Sequence, residues 1–358
     1  MTVRGPTSID SFRVTVSDFL REYTSAQRIA ARAIDQRYDR LWQSIERLLS
    51  IGGKRIRPYI LAASYEAFAR QPFPSDLLSV ACAQELLHLA MLIHDDIIDR
   101  DDMRYGISNV CGQYMDIYHS DIPDQTNRRH FATSTALLAG DILLSQAHLM
   151  TSRAALTDGK IAQLQSIIGT SVFEVVGGEL LDTEAAFSPP RSDHALRIGR
   201  YKTASYTFIG PLKIGAILAG VTNVQLSRIE DIGSALGIGY QLRDDILGVF
   251  GEPAITGKST LGDIREAKRT YLIEQFEKQA TAAQRRLFEP LFGNVDITDH
   301  DMIAVKRLLR ESGALQAAET AIVEQSKQAK RLIGELELTP EWSRPLIELV
   351  ERCMARTK

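Results

Sequence analysis

Cysteine is scarce: Cys82, Cys111 and Cys353 are the only three in 358 residues, too few and too scattered for a disulfide framework or a cysteine-based zinc site. A reducing, cytoplasmic setting is the expectation. Charge of one sign is lacking too. The formal net charge is -3, and the Lys and Arg residues are spread along the chain, which leaves no basic field to recruit nucleic acid. The opening residues MTVRGPTSID lack the apolar core of a secretory leader, and charges interrupt the apolar stretches before the ~20 residues that a membrane span needs. A protein neither secreted nor integral to a membrane is expected. No Gly/Ser/Pro-rich linker or charge block separates differently patterned halves, so residues 1–358 are read as one large domain.

What the chain has is helical periodicity. Apolar residues recur at three and four positions, as in Ile29, Ala33, Tyr38, Leu41, Ile45, Leu48 and Leu49, and period-two alternation is hard to find. The expected fold class is all-α. Breakers at Gly52-Gly53, Pro72 to Pro74, Pro123, Asp158-Gly159, Pro189-Pro190, Gly251 to Pro253 and Pro340 divide the chain into roughly ten or more helices. Residues 77–98 and 208–221 are apolar on most faces, which places them inside a bundle.

Residues 85–99, ELLHLAMLIHDDIID, contain no breaker and read as one helix that runs from an apolar stretch into an acidic end. Asp95 and Asp99, four apart, project from one face about a turn apart, with Asp96 to the side. Such carboxylates repel unless cations neutralise them, and oxygen-only ligands suit Mg²⁺. The bland alternative is a solvated helix end, which is the reading given to Asp101-Asp102. Asp244-Asp245 follows the apolar run SALGIGYQL and has the same character. Two acidic sites facing each other across a bundle would hold several Mg²⁺ ions and, through them, a diphosphate.

Anionic substrates also need cations. GGKRIRP at residues 52–58 combines glycines that let backbone approach a ligand with Lys54, Arg55 and Arg57. A polar inter-helix loop is the competing reading. Arg104, Lys202, Lys258 and Lys268 are further candidates, each of which also fits a solvated surface position.

GGKRIRP, ELLHLAMLIHDDIID, RYG, AGDILL, GGELLD, KTASYTF, GYQLRDD and GKSTLGD occur in an order and spacing that resembles the trans-isoprenyl (polyprenyl) diphosphate synthases, with core motifs spanning residues 52–270. The resemblance implies a single helical bundle with a central cleft, several Mg²⁺ ions, isopentenyl diphosphate and an allylic diphosphate as substrates, and a homodimer. It implies that Asp95, Asp99 and Asp244 bind magnesium on the allylic diphosphate, supported by Asp96 and Asp245. Arg104, Lys202 and Lys258 would contact that diphosphate, with Lys268 a further binding candidate. Lys54, Arg57 and His88 would hold isopentenyl diphosphate. His88 lies two helical turns before Asp95, ~10 Å along the same face; a packed core histidine is the competing reading. Thr203 and Gln241 would stabilise positive charge at the reacting carbon.

Three departures stand out. Tyr105 replaces a frequent second arginine, with Arg55 a candidate substitute. Gly248 replaces the last aspartate of the second motif. Glu179 stands where glutamine is frequent. Product length is read from Leu87, Met91 and Asp95, an i, i+4, i+8 row with Ala90 beside it. In related enzymes that stop at farnesyl diphosphate an aromatic residue commonly fills the place of Ala90, so the resemblance implies geranylgeranyl diphosphate or longer. Plain core packing is the alternative for Leu87 and Met91. Two rival functions remain at this level: a non-catalytic partner subunit, and a terpene cyclase, for which GGKRIRP and His88 would lack a purpose.

Overall fold

The computed structural model describes residues 7–51, 53–185, 187, 194–251 and 260–356. Helices dominate, as the periodicity predicts. The described residues divide into two compact units, the first formed by residues up to 166 together with 217–219, the second by the remainder.

In the first unit α1 (Ile9–Ile34) packs along α2 (Gln36–Ile51), and α3 (Ile56–Ala69) leads to α4 (Leu78–Ile98), which lies against α6 (Gln125–Ser152). The ends are fixed locally. Ser8 caps α1 by accepting from the Ser11 amide, Asn109 caps α5 (Val110–Ile117) through Gly112 N, and Asp124 caps α6 through Asn127 N; each satisfies an otherwise orphaned amide. Apolar side chains on most of its faces bury α4, with Leu86, Leu87 and Ile93 almost fully enclosed. Gly140 on α6 makes room for a side chain of α4: a Cβ there would fall 2.1 Å from the His94 Nε2 atom.

Among the described residues the only sheet is small. Met103–Arg104 pairs with Ile107–Ser108 as a hairpin, turned by Tyr105 and Gly106, both at positive φ (54° and 78°). That is the two-residue turn whose twist matches a hairpin.

In the second unit the long helix α10 (Asn223–Phe250) is central, packed against the π-helical segment Gly199–Ile209 and the helix Ala314–Gly334. Glycines again set the contact. A Cβ on Gly237 would lie 2.2 Å from that of Ala204, and one on Gly233 would overlap Ile209. The last helix, Pro340–Met354, carries proline at its first position, where the missing amide hydrogen is no loss.

Contrary to the expectation that charge interrupts every apolar stretch, two helical stretches among the described residues, Ser75–Ile98 and Asp158–Ala185, are long and apolar enough to cross a membrane by length and composition. The first is mostly buried as a core helix. The second leaves Phe173, Val176 and Leu180 largely exposed on one face.

Candidate active site

The first acidic motif sits at the end of α4, with Asp99 as its C-cap. At 100° per residue, neighbouring aspartates point in different directions. Asp95 is partly exposed, whereas Asp96 turns inward and is 3% exposed. Arg104, from the hairpin, binds both: its Nε donates to Asp96 Oδ1 at 2.8 Å and its Nη2 meets Asp95 Oδ2 at 3.2 Å. Burial pushes the Asp96 carboxyl up to about 6, against the pull of the Arg104 guanidinium. Asp99 is partly exposed, one turn beyond Asp95 on the same face.

Two turns deeper on α4, His88 is partly buried. Burial, then the positive charges of Arg57, Arg104 and Arg55, hold its imidazole well below the ordinary 6.5. Arg57 and Arg104 thus lie close enough to bear on a neutral histidine. Lys54 is exposed and Arg57 half-buried at the start of α3. Arg55 is not a substitute for the missing arginine at 105. It is 5% exposed, paired with Glu85 at 2.7 Å, and donates to the Leu49 carbonyl, so its charge serves the α2–α3 corner. Since His88 stays neutral in the folded protein while it would protonate below pH 6.5 when unfolded, its contribution to stability is present above 6.5 and lost as pH falls. Urea titrations from pH 7 to 5 should show unfolding free energy dropping by up to ~1.4 kcal/mol per pH unit from this group, with a shallower slope in His88→Gln.

The second acidic motif repeats the division. Asp244 has 41% of its side chain exposed and meets Arg356 at 2.8 Å. Asp245 is buried and accepts from Gln241 Nε2 at 2.8 Å and from the Tyr271 amide at 3.3 Å. Burial, with the nearby Asp263 and Asp244 carboxylates, pushes Asp245 up to about 8. Thr203 donates to Gln241 Oε1, so Thr203, Gln241 and Asp245 form one chain of hydrogen bonds. Gly248 has a reason of its own: a Cβ at that position would come within 2.1 Å of Asp263 Oδ2. The last residue of GKSTLGD thus presents its carboxylate beside the place where the motif lacks one.

Lys202 pairs with Glu179 at 2.8 Å and Asp182 at 2.7 Å. Gly178 permits this, because a Cβ there would lie 2.3 Å from the Lys202 amide nitrogen. Asp182 has no role in the sequence reading, although GGELLD contains it three residues after Glu179, the spacing of one helix face. Arg356 carries no local signal at all. Lys268 is half-buried and meets Glu266 at 3.1 Å. Lys258 lies outside the described residues. Leu87 and Ala90 are buried in the core of the first unit, while Met91 is partly exposed on the Asp95 side of the row.

Among the described residues no three His, Cys, Asp or Glu side chains converge as a ready metal cage. The donors are nonetheless of the kind a hard cation takes: Asp95 and Asp99 in the first unit, and separately Asp244 in the second, offer partly exposed carboxylate oxygens, and Mg²⁺ commonly takes one or two carboxylates and completes its shell with water and substrate phosphates.

A fold built almost wholly of helices, with one acidic motif at the end of α4 and another within the last two turns of α10, points to the isoprenoid synthase class. A protein-family model described as polyprenyl synthetase matches residues 39–309, and the chain belongs to that family. The geranylgeranyl pyrophosphate synthase of Corynebacterium glutamicum, solved with isoprenyl diphosphate and magnesium, superposes with a TM-score of 0.90 at 29% identity, over 98% of this chain and 100% of that one. A short chain isoprenyl diphosphate synthase of Methanocaldococcus jannaschii is 29% identical over 76% of this chain and 77% of its own. The geranylgeranyl diphosphate synthase of Methanosarcina mazei is 27% identical over 85% and 86%.

Proposed function

We propose that the protein is a magnesium-dependent trans-prenyltransferase that condenses isopentenyl diphosphate with an allylic diphosphate, giving a linear all-trans product of geranylgeranyl length or longer. The observation that carries this reading is α4. Its end offers Asp95 and Asp99 on one partly exposed face, and two turns deeper His88 lies amid the charges of Arg57 and Arg104. An acidic face beside a cluster of cations suits two diphosphates better than one.

Asp95, Asp99 and Asp244 would hold magnesium, whose charge, when bound, helps the allylic diphosphate to leave. Arg104 and Lys202 add fixed positive charge toward the same group, with Lys258 and Lys268 as further contacts. Asp96 and Asp245 act from behind, the one aligning Arg104 and the other Gln241. Asp263 complements Asp244 where Gly248 leaves room. Lys54, Arg57 and His88 hold isopentenyl diphosphate, whose double bond attacks the allylic carbon as the carbon–oxygen bond to diphosphate breaks. A proton is then lost, with the released diphosphate as acceptor. Thr203 and Gln241 present oxygen dipoles to the developing positive charge, and apolar walls exclude water.

We read the whole chain as one catalytic domain working as a cytoplasmic homodimer. The exposed apolar face of helix α7 (Asp158–Ala185), carrying Phe173, Val176 and Leu180, supports a second copy as its cover, because a patch of this kind on a soluble monomer is unusual.

Steady-state kinetics test the substrate assignment. The Ala variants of Lys54, Arg57 and His88 should raise the KM for isopentenyl diphosphate more than that for the primer; the reverse pattern would exchange the two sites. Product length tests the row on α4. Met91→Ala should add one or more five-carbon units, since it removes a flexible, partly exposed side chain, and Ala90→Phe should shorten the product towards farnesyl diphosphate. Unchanged products from two active variants would place the limit elsewhere.

A further inference from the structure

The contact between Arg356 and Asp244 joins a residue beyond the last helix to an acidic motif 112 positions earlier. Three interactions place it there. The Met354 side chain fills the space over Gly239, where a Cβ would lie 2.4 Å from its sulfur. Its carbonyl accepts from Arg243 Nε at 2.9 Å. The Arg356 guanidinium lies 4.4 Å from the centroid of the Tyr240 ring, and its Nη1 reaches Asp244 Oδ1 at 2.8 Å. The last helix is therefore fastened to one face of α10, with a cation delivered onto the most exposed carboxylate of the second motif.

We propose that Arg356 is a resident counter-ion of Asp244 that must be exchanged for metal, so that it tunes how readily the second acidic motif takes up a divalent cation. This rests on the assignment of Asp244 as a metal ligand. Asp244 sits beside the buried Asp245 in an acidic motif, and Arg356 supplies its opposite charge while the metal is absent. A divalent cation such as Mg²⁺ would bind the carboxylate oxygen directly and bring its own water shell. Guanidinium and metal together would set three positive charges on one carboxylate, so entry of the metal displaces the arginine. The Tyr240 ring, already under the guanidinium, gives the displaced group a second partner. The pair is partly exposed, with side-chain exposures of 16% and 41%, so its hold on Asp244 is weak enough for exchange.

Manganese uptake by the full-length protein in the presence of inorganic diphosphate, followed by the electron paramagnetic resonance of free Mn²⁺, tests this. Arg356→Gln should bind the weakest class of Mn²⁺ about threefold or more tightly than the parent, and Arg356→Lys should fall between the two. In a background of Asp244→Asn the Arg356→Gln change should have no effect. Unchanged or weaker Mn²⁺ binding in Arg356→Gln, with Asp244→Asn still weakening it, would overturn the counter-ion role and leave the metal assignment standing. If Asp244→Asn itself leaves Mn²⁺ binding unaltered, the metal assignment of Asp244 fails and the exchange fails with it.

Discussion

Replacing Asp95 or Asp99 with Ala should lower kcat by at least ~10²-fold, since loss of one preorganised electrostatic partner of a transition state costs ~3 kcal/mol or more. Both side chains are partly exposed at the end of α4, so the fold should tolerate the change. Thermal unfolding should shift little while turnover collapses. Near-normal turnover by a folded variant in excess magnesium would remove these residues from the metal site.

Arg104→Ala should act on stability and rate together. Its side chain is 10% exposed and that of Asp96 only 4%. Removing one partner of a buried ion pair leaves the other uncompensated, at a cost of about 3 kcal/mol. The variant also loses the group that orients Asp95, so turnover should fall by ~10²-fold or more even where the protein remains folded. Arg104→Lys keeps the charge but not the forked donor geometry, so it should recover part of the stability and less of the activity. Urea denaturation beside single-turnover rates separates the two effects. A fully stable Arg104→Ala would show that the contact with Asp96 contributes nothing to folding.

How much of this was legible in the chain follows from the range of the interactions. Within α4, spacing alone placed Asp95 and Asp99 on one face and His88 two turns away, because a helix fixes relative direction every residue. The same rule separates Asp95 from Asp96, but their shared pairing with Arg104 is set by a hairpin turned at Tyr105 and Gly106. Arg55 read as one more cation in a basic loop. Its burial depends on Glu85, 30 residues on, and on the carbonyl of Leu49. Gly248 read as a missing ligand, whereas the space it leaves is taken by Asp263 from a different motif. The exposed apolar stripe on α7 passed as interrupted sequence, since periodicity marks a face as apolar without saying what covers it.

The most direct measurement is product analysis with the purified chain alone, supplied with magnesium, labelled isopentenyl diphosphate and a series of allylic primers. The account predicts linear all-trans diphosphates that grow by five carbons per condensation and reach at least geranylgeranyl length, with incorporation abolished by a chelator. No incorporation by the folded chain would indicate a partner subunit, and a cyclic hydrocarbon formed without consuming isopentenyl diphosphate would indicate a cyclase; either would contradict the account.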